Sequence, residues 1–239
     1  KLLTPLTNVI LANKGTVDKY MGDAIMAFWN APLDDPDHAK NACISALGMV
    51  AEMAPLNDRL EAESKVEGRK HLALKVGLGI NTGEAVVGNM GTAQRMDYSV
   101  LGDTINTGSR LEGQSKTYGV DIVIGPETFR RVPEFATIEL DVIQVKGKKV
   151  GLKVYALMGD PEMAKRADFI KVKEAVTTMM ETYRAQKWDE AEKLIAELRV
   201  IGEPFHLDTL CDLYEARIAA YRIDPPAADW DGVFIATTK

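Results

Sequence analysis

The chain has 239 residues, 46% of them hydrophobic, which is enough to bury one sizeable core and leave residues for a smaller appended unit. Its formal net charge of −6 argues against a sequence-independent nucleic-acid binder, because such proteins need a basic face to neutralise phosphates. The two cysteines give no disulfide framework and no run of about 18 apolar residues exists, so we expect a cytoplasmic protein that meets a membrane only through a segment outside this chain.

Helical and strand patterns alternate from the start of the chain. Residues 1–13 show a helical pattern, and Gly15 is expected to cap this helix. Residues 16–20 and 24–29 have the character of two strands, which the turn at Met21–Asp23 joins into a hairpin.

The next helix is expected to start at Asp35, an N-cap residue followed by proline, and to end at Pro55. Residues 57–70 are polar and charged, so we expect them to be solvated. The further predicted elements, in chain order, are strand 72–78, a returning strand 85–87, helix 103–116, strand 120–124, a helical turn 126–131, and a last hairpin of 138–145 and 152–157. This order predicts an α+β fold with a largely antiparallel sheet.

Helical periodicity dominates from Met158 onward, over residues 163–185, 188–200 and 207–223. The unit AQKWDEAEKLIAEL resembles half of a tetratricopeptide-type repeat, whose inner face would consist of Trp188, Ala191, Leu194, Ile195 and Leu198. A single unit of this kind cannot bury its own face. We therefore expect a helical cap on the rest of the chain or on a dimer mate, with a partner-binding array as the alternative, and the DWDGVF segment is expected to place Trp230 and Phe234 on the body.

Two stretches contain the chemical signal. In MDYSVLGDTINTGSRLE, residues 96–112, Asn106 and Arg110 stand four positions apart at the start of a predicted helix, which puts an amide and a guanidinium on one helical face. In DKYMGDAIMAFWNAP, residues 18–32, a lysine precedes an aspartate by four positions across a tight Met-Gly turn. Together these stretches resemble the catalytic domain of class III nucleotidyl cyclases, the enzymes that turn ATP or GTP into a 3′,5′-cyclic nucleotide.

The resemblance extends over about residues 15–157 and implies a ferredoxin-like core derived from a βαββαβ unit. The family's opening strand contains its first metal-binding aspartate in a segment of the form F-x-D-I-x-G-F-T, and no such segment occurs here. We therefore expect the chain to begin inside the family's first helix, with the opening strand missing. The predicted domains are an N-terminally truncated cyclase catalytic domain, residues 1–158, and a helical, tetratricopeptide-like extension with its tail, residues 159–239.

The resemblance also implies two Mg²⁺ or Mn²⁺ ions in each site, close to the phosphates. Asp23 matches the family's second metal-binding carboxylate, and Mg²⁺ prefers such hard oxygen ligands. The alternative for Asp23 is a turn residue that bonds its own backbone. Asp103, at the predicted helix start, is expected to interact with the helix dipole rather than with a metal.

Lys19 and Ser99 match the two positions at which this family reads the purine edge. An ammonium can only donate, which suits the acceptor N1 of adenine, and a serine hydroxyl can accept from the adenine 6-amino group. The family's guanylyl cyclases have Glu at the lysine position. ATP is therefore the expected substrate. The alternative role for Lys19 is a solvated strand lysine, and for Ser99 it is a turn serine.

Three further residues match positions that bind the ribose and the phosphates. Asn106 matches the residue that orients the ribose, and Arg110 matches the arginine that neutralises charge on the α-phosphoryl group. Lys146 matches the lysine that contacts the β- and γ-phosphates, although two other lysines follow it closely. The alternatives are an ordinary first-turn residue for Asn106 and a surface ion pair, for example with Glu112, for Arg110.

Class III sites form between two subunits, one giving the metal carboxylates and the other the base-reading and catalytic residues. Since residues of both sets occur here, we expect a homodimer with two composite sites. The predicted function is adenylate cyclase, which makes 3′,5′-cyclic AMP and pyrophosphate in signal transduction. The alternatives are a catalytically silent homologue in a regulatory or scaffold role and a guanylate cyclase; a diguanylate cyclase would need a G-G-[DE]-E-F turn, which the sequence lacks.

Overall fold

The computed structural model describes residues 2–144, 151–227 and 229–235. Its helices are α1 (Leu3–Ala12), α2 (His38–Val66), α3 (Asp103–Tyr118), α4 (Pro126–Arg131), α5 (Pro161–Ala164), α6 (Ala167–Arg184), α7 (Trp188–Ile201) and α8 (Asp208–Ile223). Its strands are β1 (Thr16–Met21), β2 (Ala24–Phe28), β3 (Leu78–Ile80), β4 (Val86–Thr92), β5 (Arg95–Leu101), β6 (Ile122–Ile124), β7 (Ala136–Gln144), β8 (Leu152–Gly159) and β9 (Phe234–Ile235). No helix within the described ranges combines the length and the apolar character that a membrane crossing requires.

The central sheet has five strands in the order β3-β6-β8-β7-β9. Its inner pairs β6–β8 and β8–β7 are antiparallel, whereas the outer pairs β3–β6 and β7–β9 are parallel. The hairpins β1–β2 and β4–β5 form two separate antiparallel sheets. The predicted α+β class with a largely antiparallel sheet is therefore confirmed.

Gly15 takes part in capping α1, since its backbone N–H donates to the Ile10 carbonyl at 2.9 Å, and it also has a packing role. The C-cap of α1 is Asn13, and Lys14 is the residue in the left-handed region, with φ of 61°. A Cβ at Gly15 would lie 2.6 Å from Cγ2 of Ile10 and 2.8 Å from the ring of Trp29. Only glycine fits this contact between α1 and the end of the first hairpin.

The start of α2 lies three residues beyond its predicted N-cap. Asp35 is buried before the helix, where its carboxylate accepts hydrogen bonds from the Asp37 backbone at 3.2 Å and from the Asn41 side-chain amide at 2.7 Å. Helix α2 itself begins at His38. The Asp35 carboxylate therefore organises the loop before α2 and does not cap its first turn.

The prediction that Pro55 ends α2 is wrong, because the helix continues through it. Met53 and Leu56 on either side are buried and belong to one cluster with α1, and this burial outweighs the single hydrogen bond that proline removes. The expectation that residues 57–70 are solvated does not hold for Asn57, which lies in α2. The Asn57 side chain donates to the Leu74 carbonyl at 2.9 Å and accepts from its N–H at 2.8 Å.

The strands on either side of residue 80 also differ from their prediction. The strand expected over 72–78 is absent over residues 72–77, and β3 begins only at Leu78. Strand β3 pairs in parallel with β6 and not with the returning strand. That returning strand is the longer β4, and it pairs with β5, which the sequence pattern did not predict. In β5 only Ser99 and Val100 are buried, so the strand lacks the apolar alternation that marks a half-buried strand.

The helices after the central sheet pack against β7 and α3 through one hydrophobic cluster. Three residues of the predicted inner face of α7 are fully buried, namely Ala191, Ile195 and Leu198, and the other two, Trp188 and Leu194, are partly buried. Trp230 contacts the Tyr183 ring at a centroid distance of 5.4 Å, and Phe234 begins β9 on the edge of β7. The DWDGVF segment thus lies on the body as expected, whereas the division into two domains stays a prediction.

Candidate active site

The first hairpin exposes its turn and directs part of β1 toward β5. Gly22 has φ of 66°, a left-handed conformation that glycine adopts without strain, and it places Asp23 at the exposed tip. The Asp23 side chain has no hydrogen-bond partner within the described ranges, so the backbone-bonded turn expected as its alternative is not observed there. The described residues also contain no cluster of three or more His, Cys, Asp or Glu side chains that could hold a metal ion.

A three-residue polar cluster joins β1 to β5. Lys19 donates from Nζ to Oγ of Ser99 at 3.3 Å, across 80 positions of sequence. Ser99 in turn donates to Oδ2 of Asp18 at 3.1 Å, and Nζ of Lys19 lies 3.5 Å from the same oxygen. The structure therefore brings together the two predicted base-reading residues and adds Asp18 to them.

Burial differs sharply within this cluster. The Asp18 side chain is 1% exposed and Ser99 is 5% exposed, whereas the Lys19 side chain is 48% exposed. A second oxygen of Asp18, Oδ1, is buried without a hydrogen-bond partner in the described part of the chain. The contact of Asp18 with Ser99 was not predicted from the sequence, where its only signal was a carboxylate next to the base-reading lysine.

Helix α3 is held at its start by the loop before β4. Asn81 donates from its side chain to the Thr104 carbonyl at 3.1 Å, and the Thr104 hydroxyl donates to the Glu84 carbonyl at 2.7 Å. A Cβ at Gly79 would lie 2.2 Å from the carbonyl oxygen of Gly108, so β3 approaches α3 more closely than any side chain would allow. These contacts position the first two turns of the helix.

Asn106 and Arg110 lie on those two turns, one helical turn apart. Asn106 is exposed and Arg110 is half-buried. Neither side chain forms a hydrogen bond or an ion pair with another described residue, so the expected alternative of an Arg110–Glu112 pair is not observed there. Lys146, the predicted contact for the β- and γ-phosphates, lies outside the described residues.

Large apolar side chains are exposed on both hairpins near this cluster. They are Tyr20, Met21, Val86, Met96, Tyr98 and Leu101, with exposures from 39% to 70%. The ring of Tyr98 lies 6.1 Å from that of Phe28 and so links the two hairpins. Exposed large apolar side chains on neighbouring hairpins are commonly found at a contact site for another protein.

Neither cysteine contributes a reactive group to the site. Burial raises the pKa of the Cys43 thiol to about 12 and that of the Cys211 thiol to about 11. Both therefore stay protonated at neutral pH, and the thiolate is the nucleophilic form. The groups that the predicted site residues and Asp18 supply are two carboxylates, Asp18 and Asp23, with an ammonium, a hydroxyl, an amide and a guanidinium.

Residues 4–159 match the family model described as the adenylate and guanylate cyclase catalytic domain. Adenylate cyclase 1 of Rhizobium meliloti is 33% identical over 154 residues, which are 64% of this chain and 22% of that protein. The adenylate cyclase of Anabaena cylindrica is 34% identical over 145 residues, 59% of this chain and 28% of that protein. The chain thus spans less than a third of the length of either relative.

Solved structures of cyclases also resemble this chain. The adenylyl cyclase CyaB from P. aeruginosa is 28% identical with a TM-score of 0.55, over 65% of this chain and 78% of that one. The guanylyl cyclase Cya2 is 29% identical with a TM-score of 0.57, over 69% of this chain and 80% of that one.

Proposed function

Because the chain belongs to the adenylate and guanylate cyclase catalytic-domain family, we propose that it converts ATP into 3′,5′-cyclic AMP and pyrophosphate in cyclic-nucleotide signalling. The observation that supports this choice of substrate is the contact between Lys19 and Ser99 at 3.3 Å. Their separation along the chain makes a chance surface contact a poor explanation, and the burial of Ser99 argues against a simple turn serine.

Base selection follows from the donors and acceptors of this pair. The Lys19 ammonium has three N–H groups and no acceptor, so it can donate to N1 of adenine. Guanine presents an N–H at N1, which would face the ammonium with donor against donor. The Ser99 hydroxyl supplies an acceptor for the adenine 6-amino group. A ligand that leaves buried polar groups of the site unpaired binds much more weakly than one that pairs them, and this difference gives strong discrimination.

The chemical step joins the ribose 3′-oxygen to the α-phosphorus and breaks the bond from that phosphorus to the pyrophosphate oxygen. We assign Asn106 to orienting the ribose and Arg110 to neutralising the charge that develops on the α-phosphoryl group. A correctly placed arginine accelerates phosphoryl transfer by about 10³-fold or more. In this proposal Lys146 contacts the β- and γ-phosphates.

Asp23 is the residue of this chain proposed to bind the metal. Its exposed carboxylate at a hairpin tip is chemically suited to Mg²⁺ or Mn²⁺, whose remaining positions are commonly filled by phosphate oxygens and water. Such an ion, when bound, stabilises charge on the attacking and leaving oxygens. One carboxylate neutralises little of the charge on two divalent ions, so in this proposal Asp23 works together with further ligands.

The proposed assembly is a homodimer with two composite sites. The exposed apolar residues of the two hairpins would be covered in such a dimer, which supports this assembly. One chain would then supply Asp23 to a site whose Lys19, Ser99, Asn106 and Arg110 come from its partner.

Similarity to the guanylyl cyclase Cya2 keeps GTP as the second candidate substrate. The test is a turnover assay of the intact protein with ATP and GTP side by side, under Mg²⁺ and under Mn²⁺. We expect cyclic AMP formation with ATP preferred by about 10²-fold or more. Equal turnover of the two nucleotides would refute the assignment of Lys19 and Ser99, and turnover of neither would favour a catalytically silent homologue.

A further inference from the structure

Asp18 is a buried acid that the proposed reaction does not yet use. Its side chain is 1% exposed, although carboxylates are almost never fully buried unless they are paired. Its Oδ2 accepts from the Ser99 hydroxyl at 3.1 Å and lies 3.5 Å from Nζ of Lys19. Asp18 thus contacts both residues that are proposed to read the base.

The position of the hydroxyl proton on Ser99 decides what the base meets. A serine hydroxyl has one proton to donate and two lone pairs that accept. The Ser99 hydroxyl donates to Oδ2 of Asp18, so its one proton is directed at the carboxylate and not at a ligand. One lone pair of Ser99 accepts from Lys19 at 3.3 Å. A single lone pair is left for a ligand, and no proton.

This arrangement distinguishes the two purines at position 6. Adenine presents an amino group there, which donates to the remaining lone pair of Ser99. Guanine presents a carbonyl oxygen, which would face that lone pair with acceptor against acceptor. A serine without Asp18 could rotate its hydroxyl and donate to the guanine oxygen, because the position of a hydroxyl proton adapts to its surroundings.

We propose that Asp18 is a specificity-determining positioning residue, which takes the hydroxyl proton of Ser99 and thereby makes that side chain an acceptor for the 6-amino group of adenine. This inference rests on the proposed function, because it assumes that Lys19 and Ser99 read the base. It adds a residue that acts on base choice through Ser99 without touching the nucleotide.

The experiment measures kcat/KM for ATP and for GTP in the intact protein and in four variants. They are Ser99→Ala, Asp18→Asn, the double variant of both, and Asp34→Asn. Asp34 is an exposed acid in the loop after the same hairpin, so it serves as the matched control. Thermal unfolding of each variant shows whether it is folded.

Ser99→Ala should lower kcat/KM for ATP about tenfold, the effect of one hydrogen bond, and should leave GTP turnover unchanged or raised. Asp18→Asn should lower the ATP-to-GTP preference about tenfold, because an amide can donate to Ser99 and free its proton. Adding Asp18→Asn to Ser99→Ala should leave the ATP-to-GTP preference equal to that of Ser99→Ala alone. Asp34→Asn should behave as the wild type.

Three results would overturn the inference. The first is a folded Asp18→Asn variant with the wild-type preference. The second is an equal effect of Asp18→Asn in both backgrounds, which would place its action on Lys19. The third is a loss of GTP turnover in Ser99→Ala as large as the loss for ATP, which decides the question even if Asp18→Asn does not fold. Failure of the proposed function is distinct, since the wild type would then show no preference for ATP.

Discussion

The contact between α8 and the central sheet gives a stability prediction that can be worked from the structure. Asp141 of β7 is 1% exposed and Arg217 of α8 is 6% exposed, and their Oδ2 and Nη1 atoms are 2.7 Å apart. The hydroxyl of Tyr118, at the end of α3, donates to the same carboxylate oxygen at 2.8 Å. The Arg217 guanidinium also lies 3.6 Å above the ring of Phe234. This network joins the helical unit, the sheet and the helix that contains Asn106 and Arg110.

Replacing Arg217 by Met removes the charge and leaves the Asp141 carboxylate buried without its cation. Breaking a buried pair from one side costs about 3–5 kcal/mol of unfolding free energy. For a chain of this length that corresponds to a fall in Tm of roughly 6–20 °C. Removing both charges together, with Asp141→Leu added, should recover part of this loss, because an apolar pair needs no desolvation of charge.

Arg222 provides the matched control on the same helix. It is paired with Asp189 and Glu192 at 2.6 and 2.8 Å, but its side chain is 40% exposed. Arg222→Met should therefore cost no more than about 1 kcal/mol. Urea unfolding followed by circular dichroism measures all three variants. Equal losses for Arg217→Met and Arg222→Met would refute the reasoning from burial.

Three further predictions concern the site and the buried thiol. Changing Lys19 to Glu together with Ser99 to Cys should shrink the preference for ATP, because Glu accepts where guanine N1–H donates. An unchanged ratio of kcat/KM for ATP to kcat/KM for GTP would contradict the proposed base reading. Asp23→Ala and Arg110→Ala chains should each be nearly inactive alone and should regain activity when mixed, because a mixed dimer keeps one intact site; no recovery in mixed dimers shown to form would count against shared sites. Burial raises the pKa of the Cys43 thiol from its ordinary 9.0 to about 12, so the protonated thiol contributes fully to stability below pH 9. Between pH 9 and 12 this contribution to the free energy of unfolding is lost by about 1.4 kcal/mol per pH unit. Cys43→Ala should therefore lose unfolding free energy less steeply than the wild type over that range, and identical slopes would contradict the prediction.

The sequence alone predicted the features that depend on local pattern. The first hairpin, the start of α3 and the helix α4 follow from turn residues and periodicity over a few positions, and the structure has them at or within two residues of their predicted bounds. The four-residue spacing of Asn106 and Arg110 becomes a shared helical face because helix geometry is itself local. The family resemblance, too, depends on short motifs, and the match over residues 4–159 confirms it.

Tertiary structure decided the features that depend on contacts between distant residues. Helix α2 continues through Pro55 because its neighbours are buried against α1, which outweighs the local preference of proline to end a helix. Strand β5 exists through its pairing with β4, although its own residues show little apolar alternation. The contact of Asp18 and Lys19 with Ser99 spans about 80 positions, and no local propensity encodes it. Periodicity reports which face of an element is buried, but only packing determines which residues meet across that face, and the proposed control of base choice by Asp18 arises from such a meeting.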